Sequence, residues 1–104
     1  MTRFVHPAKE DITLEGVLGA LSDPMRLRIL RKVLESRAGC LSCSSAAPCE
    51  EMAKSTLSHH FRVLRDAGLI RTTKRGVENL NSARWDDVNE RFPGLLKAIM
   101  KFQP

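Results

Sequence analysis

The chain has 104 residues, of which 42% are hydrophobic, and it carries 17 Lys and Arg against 12 Asp and Glu. This size and composition predict one globular domain and exclude a disordered chain. No apolar run approaches the roughly 20 residues of a membrane span, and three cysteines do not make a disulfide framework, so we expect a cytoplasmic protein without a membrane partner.

The N-terminal third predicts two helices. Apolar residues recur at helical spacing after Thr13 and predict a short first helix. Asp23 followed by Pro24 is typical of a helix start, and this second helix is expected to end near Glu35. Its predicted buried residues are Leu27, Leu30 and Leu34, with Ile29 and Val33 beside them.

The middle of the chain predicts an irregular segment and a third helix. Residues 40–49, with the sequence CLSCSSAAPC, are rich in small polar residues and predict a loop or a single helical turn. The third helix is expected to begin at Ser55, whose hydroxyl can accept a backbone N–H bond, and to end at Gly68, which suits the left-handed conformation. Its predicted apolar stripe consists of Leu57, Phe61 and Leu64.

A β-hairpin is predicted after the third helix. Residues 69–73 and 79–83 have strand-like composition and flank a turn at residues 74–76. Residues 1–11 are expected to form a poorly ordered N-terminal arm, and residues 12–104 a single mainly α domain with a small β-hairpin (α+β). This order of elements is that of a winged helix-turn-helix.

The C-terminal segment predicts a strongly apolar helix. Asp86 or Asp87 can cap it, and Pro93 is expected to kink or split it. A chain of this size cannot cover the whole apolar surface of that helix, which therefore predicts a homodimer about a two-fold axis. The alternative is a helix that closes the core of a monomer. The predicted interface residues in this segment are Val88, Phe92, Leu95, Ile99 and Phe102.

The positive charge of the chain is concentrated in one segment. Residues 54–75 contain six basic residues and one acid, Asp66, which accounts for the whole net charge of +5. An excess confined to one helix and the following strand predicts a face that binds a polyanion, and nucleic acid above all. The basic residues are Lys54, Arg62, Arg65, Arg71, Lys74 and Arg75.

Helical geometry places polar side chains on the outer face of the third helix. If the apolar stripe faces the core, Ser55, His59 and Arg62 point away from it, with Thr56 and Ser58 on the flanks. Hydroxyl, imidazole and guanidinium groups suit base edges and phosphates in a major groove. The alternative is an ordinary solvated helix face.

Two stretches, ALSDPMRLRIL (20–30) and STLSHHFRVLRDAGLI (55–70), resemble the ArsR/SmtB family of bacterial winged-helix repressors. The resemblance implies a homodimer that binds double-stranded operator DNA and releases it when an inducer binds. It also implies that the first helix joins the dimer interface through Leu14, Val17 and Leu18. The residues that it assigns to DNA are Lys54, Ser55, Thr56, Ser58, His59 and Arg62, with Lys74 and Arg75 in the wing.

His60 borders the apolar stripe of the third helix. We count it with the DNA-binding residues because a packed histidine at this border can bond either to backbone or to a phosphate. A catalytic role is not expected. The neighbouring pair of histidines faces two different directions, so it is also a poor metal chelate.

Cys40, Cys43 and Cys49 lie shortly before the third helix. The C-x2-C spacing lets two thiolates hold one soft metal or metalloid ion, and the third thiolate could complete the site. Oxidation of the thiols is a second interpretation, and packing without a sensory role is a third. The identity of the inducer stays open, and no cofactor other than such an ion is expected.

The sequence departs from the family at the sensor positions. The familiar arsenic and lead sensors carry a C-x-C pair in the first helix of the helix-turn-helix, and zinc sensors carry His and Asp ligands in the last helix. Here the spacing is C-x2-C in a serine-rich segment, and the only histidines are His6, His59 and His60. The alternatives are therefore a regulator with an organic ligand or none, and a winged-helix module that binds protein. No hydrolase, phosphate-loop or zinc-protease motif is present, so we predict that the chain is not an enzyme.

Overall fold

A computed structural model of the chain describes residues 4–36, 41–42 and 53–102. The helices of these residues are α1 (Leu14–Ala20), α2 (Pro24–Glu35), α3 (Lys54–Asp66), α4 (Trp85–Arg91) and α5 (Leu95–Lys101), and a 3₁₀ turn, Lys9–Asp11, precedes them. The strands are β1 (Leu41–Ser42), β2 (Ile70–Arg75) and β3 (Glu78–Ala83). The predicted fold class, mainly α with a small β-hairpin in a winged helix-turn-helix, is confirmed.

The first two helices begin where their capping residues predict. The Thr13 hydroxyl accepts the N–H of Gly16 at 3.1 Å, and one Asp23 carboxylate oxygen accepts the N–H groups of Met25 at 2.7 Å and Arg26 at 3.2 Å. Burial acts to raise the pKa of Asp23, but these two N–H bonds and the Arg26 charge outweigh it, so the pKa lies below its ordinary value. Both helix starts are thus set by local hydrogen bonds.

The predicted starts of the other helices need correction. α3 begins one residue early, at Lys54 after Ala53, which has no polar side chain, so Ser55 lies inside the helix and does not cap it. α4 begins at Trp85, so Asp86 and Asp87 occupy its first turn instead of capping it. Negative charge in a first turn is still favourable, because the helix dipole is positive at that end.

The predicted break in the C-terminal helix is confirmed. α4 ends at Arg91 and α5 begins at Leu95, with Pro93 between them. Gly94, directly before α5, takes a left-handed φ of +83°, a conformation that glycine adopts without steric cost.

Within the described residues, the sheet has three antiparallel strands in the order β1-β3-β2. β2 and β3 pair from Ile70 with Ala83 to Arg75 with Glu78, so the turn is formed by residues 76–77 and not by residues 74–76. β1 pairs Leu41 with Asn81, an addition that the loop prediction for residues 40–49 did not contain. The hairpin β2–β3 is called the wing below.

The core joins the helices to the base of the wing. The buried apolar residues are Ile12, Val17, Ala20, Leu21, Ile29, Leu30, Val33, Phe61, Leu64, Leu69, Ile70, Val88 and Leu96. In α2, Ile29 and Val33 lie deeper than Leu27 and Leu34, which are half-buried, so the inner face of α2 is rotated from the predicted one.

The expectation of a poorly ordered arm is wrong for residues 4–11. His6 and Pro7 bond to the wing and to Arg84, and Lys9 forms an ion pair with Glu90 of α4 at 3.0 Å. The polar composition of this segment gave no sign of these contacts, because each partner lies more than 60 residues away in sequence.

Candidate nucleic-acid interface

The outer face of α3 carries the predicted polar residues together. Ser55, Ser58, His59 and Arg62 line one shallow depression, and Arg65 borders it. All but Arg65 are exposed, whereas Phe61 and Leu64 on the opposite side are buried, as the helical spacing predicted. Lys54 and Thr56, in the first turn, are exposed as well. This face can therefore present hydroxyl, imidazole and guanidinium groups to one partner.

The first turn of α3 adds backbone donors to this face. The N-cap residue, Ala53, offers no side-chain acceptor, so it leaves the first N–H groups of the helix to other acceptors. Free N–H groups at a helix start, with the positive end of the helix dipole, favour a phosphate oxygen.

His60 is buried, with 8% of its surface exposed, and bonds inside the protein. Its Nδ1 lies 3.3 Å from Nη1 of Arg26, and Nε of Arg26 donates to the carbonyl oxygen of Ala20 at 2.6 Å. A guanidinium can only donate, so Nδ1 of His60 accepts and the ring proton resides on Nε2. His60 thus ties α3 to the start of α2, the packed role that the sequence suggested, and its burial argues against a direct base contact.

Lys74 and Arg75 lie at the end of β2 and not in the turn. Both are exposed, and successive residues of a strand point to opposite faces of the sheet. Hence only one of the two can face the same way as the outer side of α3. The turn itself presents Val77, of which 98% is exposed, at the tip of the wing.

Arg65 is a residue of this site that the list of DNA contacts omitted. Its Nη1 donates to the hydroxyl of Thr72 in β2 at 3.3 Å, and that hydroxyl donates to the buried Oδ1 of Asn81 in β3 at 2.6 Å. This chain of bonds couples α3 to the wing. The sequence placed Arg65 in the basic segment, but the spacing of residues could not predict its bond to Thr72.

The predicted dimer residues fall into three groups. Val17 and Val88 are fully buried in the core of a single chain, so they offer no surface to a second copy, and this part of the prediction is corrected. Leu14, Leu18 and Phe102 are exposed. Phe92, Leu95 and Ile99 are half-buried and pack on the core from its edge.

The three cysteines, Cys40, Cys43 and Cys49, lie outside the described residues. Among residues 4–36, 41–42 and 53–102, no group of three or more His, Cys, Asp or Glu side chains is placed to hold a metal ion. In the same part of the chain, no helix is both long and apolar enough to cross a membrane.

A family model described as a helix-turn-helix domain matches residues 21–73, from the end of α1 into β2. The uncharacterized HTH-type transcriptional regulator YceK of Bacillus subtilis is 36% identical over 83 residues, which are 80% of this chain and 82% of that protein. The arsenical resistance operon repressor of Staphylococcus xylosus is 34% identical over 87 residues, covering 76% of each chain. Both relatives are named as regulators of transcription and not as enzymes.

The fold has a solved counterpart over most of its length. The structure of an ArsR-like transcriptional regulator from Rhodococcus sp. RHA1 superposes with a TM-score of 0.62 at 26% identity, covering 86% of this chain and 81% of that one. The structural similarity therefore extends well beyond residues 21–73, which the family model matches.

Proposed function

Because the chain belongs to the ArsR family of winged-helix transcriptional regulators, we propose that it acts as a homodimeric repressor that binds a palindromic operator in double-stranded DNA. The observation that carries the proposal is the outer face of α3, where Ser55, His59 and Arg62 are exposed together. The buried apolar residues of α3 lie on the opposite side of the helix. An α-helix with such donors fits the major groove, and a symmetric pair would place two of them about 34 Å apart on successive half-sites.

Exposed apolar side chains on α1 and after α5 support the homodimer. Leu14 and Leu18 are 42% and 47% exposed and lie one helical turn apart, so they share a face of α1. Phe102 is 79% exposed. Nε and Nη2 of Arg91 donate to the carbonyl oxygen of Ile12 at 3.2 and 2.8 Å, which holds the entry to α1 beside the end of α4. Burial of these side chains against their copies would remove them from water.

Replacing Leu18 by glutamate is expected to convert the dimer into a monomer, because two added carboxylates would face an apolar contact near the symmetry axis. Loss of the second half-site should weaken operator binding by about 100-fold or more. Sedimentation equilibrium gives the mass, and fluorescence anisotropy of a labelled duplex gives the affinity.

The matched control is Val5→Glu, which makes the same change at an apolar side chain that is 81% exposed on the N-terminal arm. It should leave the mass of the dimer unchanged. A Leu18→Glu protein that sediments as a dimer would place the interface elsewhere.

We further propose that the inducer acts on the cysteine segment. Two features of the sequence support this: the C-x2-C spacing of Cys40 and Cys43, and the position of Cys49 five residues before Lys54, at the start of α3. A thiol-bound ion or a new disulfide there would pull on the end of the helix that is proposed to contact DNA.

Replacing all three cysteines by serine is expected to leave operator binding within about twofold, since thiol and hydroxyl differ little in size, and to abolish release by soft metals or a thiol oxidant. Duplex anisotropy with and without arsenite, Cd²⁺ or diamide measures both effects. If the serine variant still released the operator on the same additions, sensing would reside elsewhere in the chain.

A further inference from the structure

The N-terminal arm lies across the junction between α3 and the wing. The Arg65 guanidinium of α3 lies 4.6 Å from the centroid of the Phe4 ring, close enough for a cation–π contact. Two residues later, Nε2 of His6 accepts the backbone N–H of Thr72 in β2 at 2.9 Å. The arm therefore contacts both elements that the proposed operator complex needs.

The bond to His6 has a structural reason in the sheet. In the part of the chain that is described, β2 is an outer strand whose only strand partner is β3, so its outward N–H groups need other acceptors. His6 supplies one for Thr72, whose hydroxyl is already shared between Arg65 and Asn81. Thr72 is thus the residue at which the arm, α3 and the wing meet.

A third contact fixes the direction of the arm. Nη1 of Arg84 donates to the carbonyl oxygen of Pro7 at 2.7 Å, and the Arg84 guanidinium is held in place by Asp87 at 3.0 Å. Arg84 is buried and lies between β3 and α4, so its bond to Pro7 connects the arm to the junction of these two elements.

His6 can accept the β2 N–H only as the neutral ring that carries its proton on Nδ1. Burial, followed by the charges of Arg71, Arg84 and Arg65, lowers the pKa of His6 below its ordinary value of 6.5. These arginines lie on β2, in the β3–α4 connection and on α3, and Asp87 of α4 pairs with Arg84 at 3.0 Å. Protonation of His6 would place its Nε2–H group against the N–H group of Thr72, and it would add a positive charge near three arginines.

We propose that His6 is a positioning residue for DNA binding: the neutral ring holds the wing against α3, and its protonation releases the arm and weakens operator binding. The proposal rests on the proposed operator binding. The pKa of His6 is lower in the folded than in the unfolded chain. The stabilisation that the neutral ring gives to the folded state is therefore complete above pH 6.5, and it is lost as the pH falls from there through the folded pKa.

The test compares the full-length protein with His6→Gln and His6→Ala between about pH 5.5 and about pH 8 at constant ionic strength. A glutamine amide oxygen can accept the same N–H and does not titrate. At high pH, we expect operator affinity within about twofold of wild type for His6→Gln and about threefold to tenfold weaker for His6→Ala. At low pH, wild type should fall to the level of His6→Ala, while His6→Gln should not.

The ratio of wild-type to His6→Gln affinity isolates this effect, because every residue other than His6 is the same in both proteins. The NMR shift of the Thr72 amide against pH reports the bond between His6 and Thr72 without any DNA, and this shift should change with pH in wild type but not in His6→Gln. A ratio that stays flat with pH, in proteins that bind operator, overturns this inference alone. Failure of every variant to bind any duplex removes the proposed function and this inference with it.

Discussion

Replacing Gly68 by alanine is expected to lower the free energy of unfolding by about 2–5 kcal/mol. Gly68 takes a φ of +83°, where a side chain costs roughly 1–2 kcal/mol. An added Cβ would also lie 2.5 Å from Cγ1 and 2.7 Å from Cδ1 of Ile12, which is fully buried. Removing this clash would require a shift of the close-packed core, which costs roughly 1–3 kcal/mol. Urea unfolding at a fixed protein concentration measures the total change in the free energy of unfolding.

Gly94→Ala is the matched control for this variant. Gly94 has the same φ of +83°, but a Cβ there would meet nothing within 4 Å, so only the backbone cost of roughly 1–2 kcal/mol should remain. Adding Ile12→Ala, which removes both clashing atoms, should make the Gly68→Ala loss smaller than in the wild-type background. Equal losses of unfolding free energy in Gly68→Ala and Gly94→Ala would show that the Ile12 side chain moves aside at no energetic cost.

Replacing Arg62 by alanine is expected to weaken operator binding by about 10- to 100-fold, which corresponds to about 1–3 kcal/mol. Arg62 projects from the outer face of α3, its side chain is 76% exposed, and its ion pair with Asp66 at 3.8 Å is weak in water. If Arg62 neutralises a phosphate, the plot of log affinity against log salt should also become less steep by about one. Duplex anisotropy over a salt series measures both quantities.

Arg31→Ala provides a control with the same change of charge. Arg31 also forms an i,i+4 ion pair, with Glu35 at 3.7 Å on α2, and its side chain is 39% exposed. We expect it to change affinity by less than about twofold, because Arg31 lines a depression with Leu34, Trp85 and Met100 and not the outer face of α3. Equal losses in both variants would mean that net charge alone drives binding. Absence of any salt-dependent duplex binding would favour a protein-binding module instead.

The helices illustrate which features a sequence can predict. Thr13 and Asp23 bond to N–H groups two or three residues away, so the information that starts α1 and α2 is local. The same reasoning misplaced the start of α3, because the N-cap residue, Ala53, has no polar side chain, whereas a nearby serine matched the expected capping pattern. Local patterns therefore predicted the existence of each helix better than its first residue.

The wing and the arm required contacts that lie far apart in the chain. β1 pairs with β3 across some 40 residues, and only that pairing makes a strand of two residues whose composition resembles a loop. His6 likewise meets Thr72 from 66 residues away. Nothing in the polar N-terminal sequence distinguishes a docked arm from a free one.

The amino-acid sequence alone determined the fold class, the basic character of α3 and the wing, and the family, because periodicity, caps and charge are properties of short segments. Tertiary structure alone decided that His60 and Val17 are buried, that Arg65 couples α3 to the wing, and that Leu14 and Leu18 stay exposed. Burial of a side chain depends on what other elements cover it, and a helix with apolar residues on two faces does not show which face its own chain will occupy.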